Sequence, residues 1–156
     1  VGSEMCIRDS FNTVFLAFHS AQHYALGFAM HHLCDWACLL KKQGLKIPEG
    51  VTDERFLNMI YALTHLCNRY LGTEVLVMKG GEGLAENLLK EMLHPTYNIN
   101  VPATGKWGIL VYKLKRMLHI HRLCDSVMRV SLVKWLWISV IQHVRFPQSI
   151  FRRTVS

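Results

Sequence analysis

Phe11 to Leu40 reads FNTVFLAFHSAQHYALGFAMHHLCDWACLL, and this stretch decides the fold. Apolar side chains at Phe11, Val14, Phe15, Phe18, Ala21 and Ala25 recur at the interval that lines up one face of a helix. Gly27 interrupts them, and glycine is the residue that most readily takes the left-handed turn closing a helix. A second helical pattern follows, with Met30, Leu33, Ala37 and Leu40 on its buried face and Cys34 and Trp36 alongside. It ends in Lys41 and Lys42, which suit the negative end of a helix dipole, and then Gly44. The stretch therefore predicts two helices, about 12–26 and 29–43, folded back about Gly27, the first capped by Ser10 or Asn12.

Working outward, Pro48 and Gly50 mark a loop, and Thr52 is the expected cap of a third helix with Asp53 and Glu54 in its first turn. Phe56, Ile60, Leu63, Cys67 and Leu71 form its stripe, and Gly72 stops it. Residues 73–83 carry Gly80, Gly81 and Gly83 and read as a flexible connection. They lack the Lys-Ser/Thr of a phosphate-binding loop. A fourth helix covers about 84–93 and ends at His94-Pro95. The stretch from Tyr97 to Gly105 is turn-rich, and two more helical patterns run over about 106–123 and 127–145. Between them lies a break at Cys124-Asp125-Ser126, with Ser126 as the expected second cap. No strand alternation occurs. The expectation is an all-α fold of five or six helices packed as one compact unit.

Hydrophobic content of 51% with 19% charged residues is globular composition, and 156 residues suffice for a sizeable core. The most apolar run, Val127 to Phe146, is broken by Arg129, Lys134, Gln142, His143 and Arg145. No membrane-spanning helix is therefore expected, since one needs about 20 apolar residues. Residues 11–104 are nearly neutral, whereas residues 105–156 hold ten Lys/Arg against Asp125 alone. A basic rear third favours an anionic neighbour, and peripheral membrane contact through residues 105–146 is one form of it. Specific nucleic-acid binding is not expected, because no recognition motif accompanies the charge. The five cysteines form no CxxC; Cys34, Cys38 and Cys67 fall in apolar helical patterns, which suits reduced, buried thiols in the cytoplasm.

The polar residues of the opening stretch invite chemistry. His19 and His23 are four apart and share a helical face, and His31 and Asp35 repeat that spacing on the next helix. If the helices fold back, these four side chains converge. They could then hold a transition metal, face a phosphate or polar substrate group, or serve as structural histidines. The HxxxH lacks the internal glutamate of a metalloprotease helix. Nothing assembles into a catalytic set: there is no Gly-x-Ser-x-Gly elbow and no cysteine with an evident base. The adopted expectation is a substrate-facing group of His19, His23, His31 and Asp35, with no catalytic residue and no metal assigned.

The segment FNTVFLAFHSAQHYALGFAMHHLCDWACLLKK resembles the helical half of an uncharacterised bacterial nucleotidyltransferase family. That family belongs to the polymerase-beta-like superfamily and is often encoded among polysaccharide-biosynthesis genes. Arg69-Tyr70-Leu71-Gly72 and the basic run GKWGILVYKLKR from Gly105 are similar too, so the likeness covers most of residues 11–150. Cys34-Asp35-Trp36 is its most specific piece, and His19, His23, Gly27, Asp35 and Trp36 match. His31 stands where the family usually carries arginine, which replaces a fixed charge by a titratable one.

The resemblance implies an enzyme whose α/β core holds divalent metal, Mg²⁺, on a Gly-x-Asp-x-Asp motif. No Asp-x-Asp occurs in this chain. The expectation is therefore the C-terminal helical domain, residues 11–150 with a tail at 151–156, of a protein whose N-terminal core is missing here. This chain itself would hold no cofactor and be inactive alone; its partners would be that core and a nucleotide or polysaccharide-related substrate. Residues 1–10, VGSEMCIRDS, resemble a translated sequencing-adaptor remnant and are set aside from the fold. The alternative expectation is a free-standing basic helical module that docks on an acidic membrane surface or partner protein.

Overall fold

The structure is a computed structural model that describes residues 2–97 and 105–146. Residues 98–104 of the turn-rich stretch and the tail at 151–156 lie outside them. The expected all-α class is observed: among the described residues there are six helices and no strand. They are α1 (Gly2–Gly27), α2 (Met30–Gln43), α3 (Glu54–Leu71), α4 (Glu82–Leu93), α5 (Lys106–Val127) and α6 (Leu132–Arg145). They gather into two compact units, Val1–His94 and Pro95–Ser156.

In the first unit α3 is the central helix and packs against α1, α2 and α4. Its sequence explains why: Phe56, Met59, Ile60, Leu63, Leu66 and Cys67 recur every three to four residues, and all are buried. A fully buried side chain such as Met59, Ile60 or Leu63 contributes about 1.5–3 kcal/mol. The helix starts on Asp53, not the expected Thr52. The Asp53 carboxylate accepts hydrogen bonds from the backbone N–H groups of Arg55 and Phe56 at 2.9 and 3.3 Å. It ends on Gly72, which is left-handed (φ 59°) as expected.

Two pairs of contacts fix how α2 lies. The indole N–H of Trp36 donates to Thr64 Oγ1 at 3.1 Å, and the Cys67 thiol donates to the Leu33 carbonyl at 3.4 Å. Rising numbers on α2 meet falling numbers on α3, so the two are antiparallel. Gln43 Nε2 donates to Thr13 Oγ1 at 3.3 Å, which ties the end of α2 to the early part of α1 and makes that pair antiparallel too.

The expected packing face of α1 is corrected. The buried residues are Thr13, Ala17, Ser20, Ala21 and Tyr24, while Phe11, Phe15 and Phe18 are 65, 54 and 45% exposed. Small side chains win because they let the helix backbone approach α2 and α3 closely. The phenylalanines then occupy the outer face, where Phe11 and Phe15 stack at 6.2 Å. Residues 2–10 are helical, so Ser10 and Asn12 lie inside α1 and cap nothing. On α2 the expected face is corrected at its edges: Met30, Cys34 and Cys38 are exposed, and His32 and Leu39 are buried with Leu33, Trp36, Ala37 and Leu40. Of the expected buried thiols, Cys67 alone is buried in this unit.

The glycine-rich connection is pinned to α3. Asn68 donates from Nδ2 to the Val75 carbonyl at 2.7 Å, and its Oδ1 accepts from Thr73 Oγ1 and from the Val75 N–H. Farther along, the Tyr61 hydroxyl meets Met78 Sδ and the His65 ring meets the Gly80 carbonyl. The segment thus retraces α3 backwards, and α4 then runs parallel to α3. Gly81 turns the corner with φ +87°. A Cβ there would lie 2.6 Å from the Ala62 nitrogen, so only glycine fits.

The second unit pairs α5 with α6. Ile109, Ile120 and Val127 are buried on α5, and Ser139 Oγ reaches Met117 Sδ at 3.8 Å. The break expected near residues 124–126 falls later, at 128–131: α5 continues to Val127, and Ser126 Oγ donates to the Leu123 carbonyl within it. Asp125 accepts from the Val130 N–H in the turn beyond. The cap of α6 is Ser131, whose hydroxyl accepts from the Lys134 N–H at 3.4 Å. No described helix is long and apolar enough to cross a membrane.

Candidate functional site

The histidine group lies where α1 turns into α2. On α1 one helical turn separates His19 from His23, whose rings sit 4.6 Å apart, and Phe15 stacks flat on His19 at 6.2 Å. Gly27 ends the helix, Phe28 and Ala29 make the link, and Ala29 is the N-cap of α2 in extended backbone. That short link carries the first turn of α2 back over the last turns of α1. Phe28 is buried and stacks on His32 at 5.4 Å, which sets the ring's orientation.

His32 therefore joins the pair. Its ring lies 4.6 Å from that of His23 and 5.5 Å from that of His19. One ligand nitrogen from each of His19, His23 and His32 lies within 4.8 Å of the others. His19 and His23 are half-buried, and His32 is 2% exposed. His31 stands at the rim, its ring 3.9 Å from that of His32, and is exposed; Asp35 is exposed on the outer side of α2. So of the four expected residues the fold brings His19 and His23 together with His32, places His31 against them, and leaves Asp35 outside. The signal for His32 was present in the sequence: it lies four residues before Trp36, on the face that Trp36 and Leu40 bury.

The electrostatics follow from burial and crowding. Burial holds His32 below the ordinary imidazole range; its hydrogen bond to the Ala29 backbone opposes this, and His31, His23 and His19 push it lower again. Burial also lowers His23, helped by His19 and His31. His32 Nδ1 lies 3.1 Å from the Ala29 nitrogen and 3.2 Å from the Ala29 oxygen, so it accepts or donates according to tautomer. Its Nε2 is buried without a hydrogen-bond partner. An unmet polar atom at such depth costs about 1–3 kcal/mol, so a partner for it has a strong thermodynamic pull.

Trp36, within the most specific piece of the sequence likeness, is wholly buried and bonded to Thr64, a core role. A groove between α3 and α4 is lined by His65, Asn68, Arg69, Glu82 and Glu86. Its polar groups largely hold the fold: His65 binds the Gly80 carbonyl and lies 3.6 Å from Glu82, and Asn68 holds the connection. Compared with known families, curated proteins and solved structures, the chain matches none.

Proposed function

We propose that this chain is the helical accessory domain of a bacterial nucleotidyltransferase and docks on an α/β catalytic core outside this sequence. Phe11, Phe15 and Phe18 carry the reading. They form an uncovered aromatic strip on the helix that also carries His19 and His23, and an uncovered apolar strip of this kind favours a protein neighbour. The resemblance of residues 11–42 supports that identity for the neighbour, and on it nucleotidyl transfer and its Mg²⁺ belong to the core, since the chain has no Asp-x-Asp. The histidine group then faces the nucleotide or acceptor across the joint. On this reading the protein works in the cytoplasm, a compartment that suits its free thiols. Two measurements test it. The chain alone, with Mg²⁺ and each nucleoside triphosphate, is expected to show no transfer. The genomic DNA upstream of the Phe11 codon is expected to encode a Gly-x-Asp-x-Asp motif. Robust turnover by the chain, or an upstream frame without the motif, overturns the reading.

A second reading draws on α6. Val133, Trp137, Val140, Ile141 and Val144 form one helical stripe, and all are exposed, Trp137 by 65%. Lys134 and Arg145 flank that stripe within the basic rear third. An apolar stripe beside cations suits an anionic membrane surface. Salt-sensitive co-sedimentation with anionic but not zwitterionic vesicles supports this reading, and indifference to both removes it.

A further inference from the structure

The geometry points to a three-histidine site for a divalent transition-metal ion of the zinc type, held by His19, His23 and His32 and open to solvent at a remaining position. Nothing in it depends on a catalytic core. Three observations converge on it. The ligand nitrogens of the three residues lie within 4.8 Å of one another. A tetrahedral zinc site places its nitrogens about 3.3 Å apart, given Zn–N distances of about 2.0–2.1 Å, so side-chain rotations of about 1 Å close the triad. Two of the ligands come from consecutive turns of one helix, which fixes their spacing before any metal arrives.

The second observation is the unpartnered nitrogen. His32 is 2% exposed and its Nε2 has no hydrogen-bond partner, while Nδ1 lies 3.2 Å from the Ala29 carbonyl. In the tautomer with the proton on Nδ1, that N–H donates to Ala29 and Nε2 presents a lone pair. This is the arrangement metal-bound histidines adopt, in which the far nitrogen donates to a backbone carbonyl and fixes the ring. The other tautomer lets Nδ1 accept from the Ala29 N–H at 3.1 Å, but it turns Nε2 into a buried donor with no acceptor. With Nδ1 engaged at Ala29, Nε2 is the nitrogen left for a metal, and Phe28 stacked on the ring at 5.4 Å holds the ring in place.

The third is the choice between a cation and an anion. Rings with centroids 4.6–5.5 Å apart repel one another when charged, so the group does not gather the positive charge that a phosphate needs. It offers lone pairs instead. Imidazole ligands suit zinc, copper and nickel better than magnesium or calcium, which prefer oxygen. Three protein ligands with half-exposed His19 and His23 leave room for a water or substrate atom on the metal, as in catalytic zinc centres.

The test is zinc and cobalt titration of the full chain, with Cys34→Ser/Cys38→Ser as background, because those exposed thiols are also four residues apart. One equivalent of zinc at micromolar concentration is expected, and cobalt is expected to give the visible bands of a tetrahedral or five-coordinate site without a sulfur charge-transfer band. Losing a hydrogen bond that supports a ligand already costs roughly 10–100-fold in metal affinity, so losing a ligand costs more. His19→Ala and His32→Ala are expected to abolish micromolar binding, and His31→Ala to leave it within a few-fold. His19 is only half-buried, so its variant keeps the fold, which circular dichroism verifies, should His32→Ala prove unstable. No uptake at micromolar zinc, uptake that survives His19→Ala, or equal loss with His31→Ala overturns the site. Uptake by the parent chain that vanishes in the double-serine background overturns it as well.

Discussion

Replacing Thr64 by valine isolates a buried side-chain-to-side-chain bond that joins α2 to α3. Thr64 Oγ1 accepts from the Trp36 indole at 3.1 Å and donates to the Ile60 carbonyl at 2.9 Å, and both residues are fully buried. Valine keeps the shape and removes the acceptor, leaving a buried N–H with no partner. That orphan costs about 1–3 kcal/mol. The Ile60 carbonyl loses little, because it is also available to the helix's own backbone ladder. With Trp36→Phe the donor disappears, and the same threonine substitution has nothing left to orphan. Trp36→Phe is itself destabilising through lost ring contacts, so the informative quantity is the coupling between the two changes, expected at about 1–3 kcal/mol. Urea unfolding followed by far-UV circular dichroism reads it. At a slope near 2 kcal/mol per M, Thr64→Val alone lowers the midpoint by about 0.5–1.5 M. Strict additivity of the two substitutions would refute the bond as a source of stability.

Three further outcomes are expected. Gly81→Ala destabilises the first unit by more than the about 1 kcal/mol typical of a point substitution, since its Cβ would meet the Ala62 nitrogen at 2.6 Å and the Tyr61 Cβ at 2.8 Å; an unchanged urea midpoint would contradict the close approach. Asp53→Ala costs about 0.5–2 kcal/mol as the true cap of α3, whereas Thr52→Ala stays within about 0.5 kcal/mol, and a reversed order would return the cap to Thr52. Burial pushes the Cys67 thiol and the Tyr24 hydroxyl up to about 12, Glu91 adding to the effect at Tyr24. Both ionise more easily unfolded, at about 9 and 10, so their contribution is complete below about pH 9 and is lost as pH rises toward 12. Unfolding midpoints measured from pH 7 to 11 should fall on the alkaline side, with Cys67→Ala delaying the onset; a flat profile would contradict the burial of both groups.

The chain announces its helices through local chemistry. The stripe Phe56, Ile60, Leu63 and Cys67 needs only its own spacing to read as α3, and Gly27, Gly44 and Gly72 mark the ends because left-handed or unusual backbone is easiest for glycine. Those signals lie within a few residues of what they control. The caps were less legible because candidates stood side by side: Thr52 beside Asp53, and Ser126 five residues before Ser131. Where the incoming chain turns decides between them, and the turn is set by packing.

What only the tertiary structure decided is which faces meet. Phenylalanines and small residues share α1, and both read as apolar; close approach to α2 and α3 selected Ala17, Ser20 and Ala21 and turned Phe11, Phe15 and Phe18 outward. On α2 the neighbours His31 and His32 project about 100° apart, so a single register step sends one to the rim and the other under Phe28 beside His23. The sequence by itself placed histidines on the two helices either side of Gly27, because periodicity and a glycine are local facts. Which three of them meet depended on contacts between residues far apart in the chain, and no local pattern carries those.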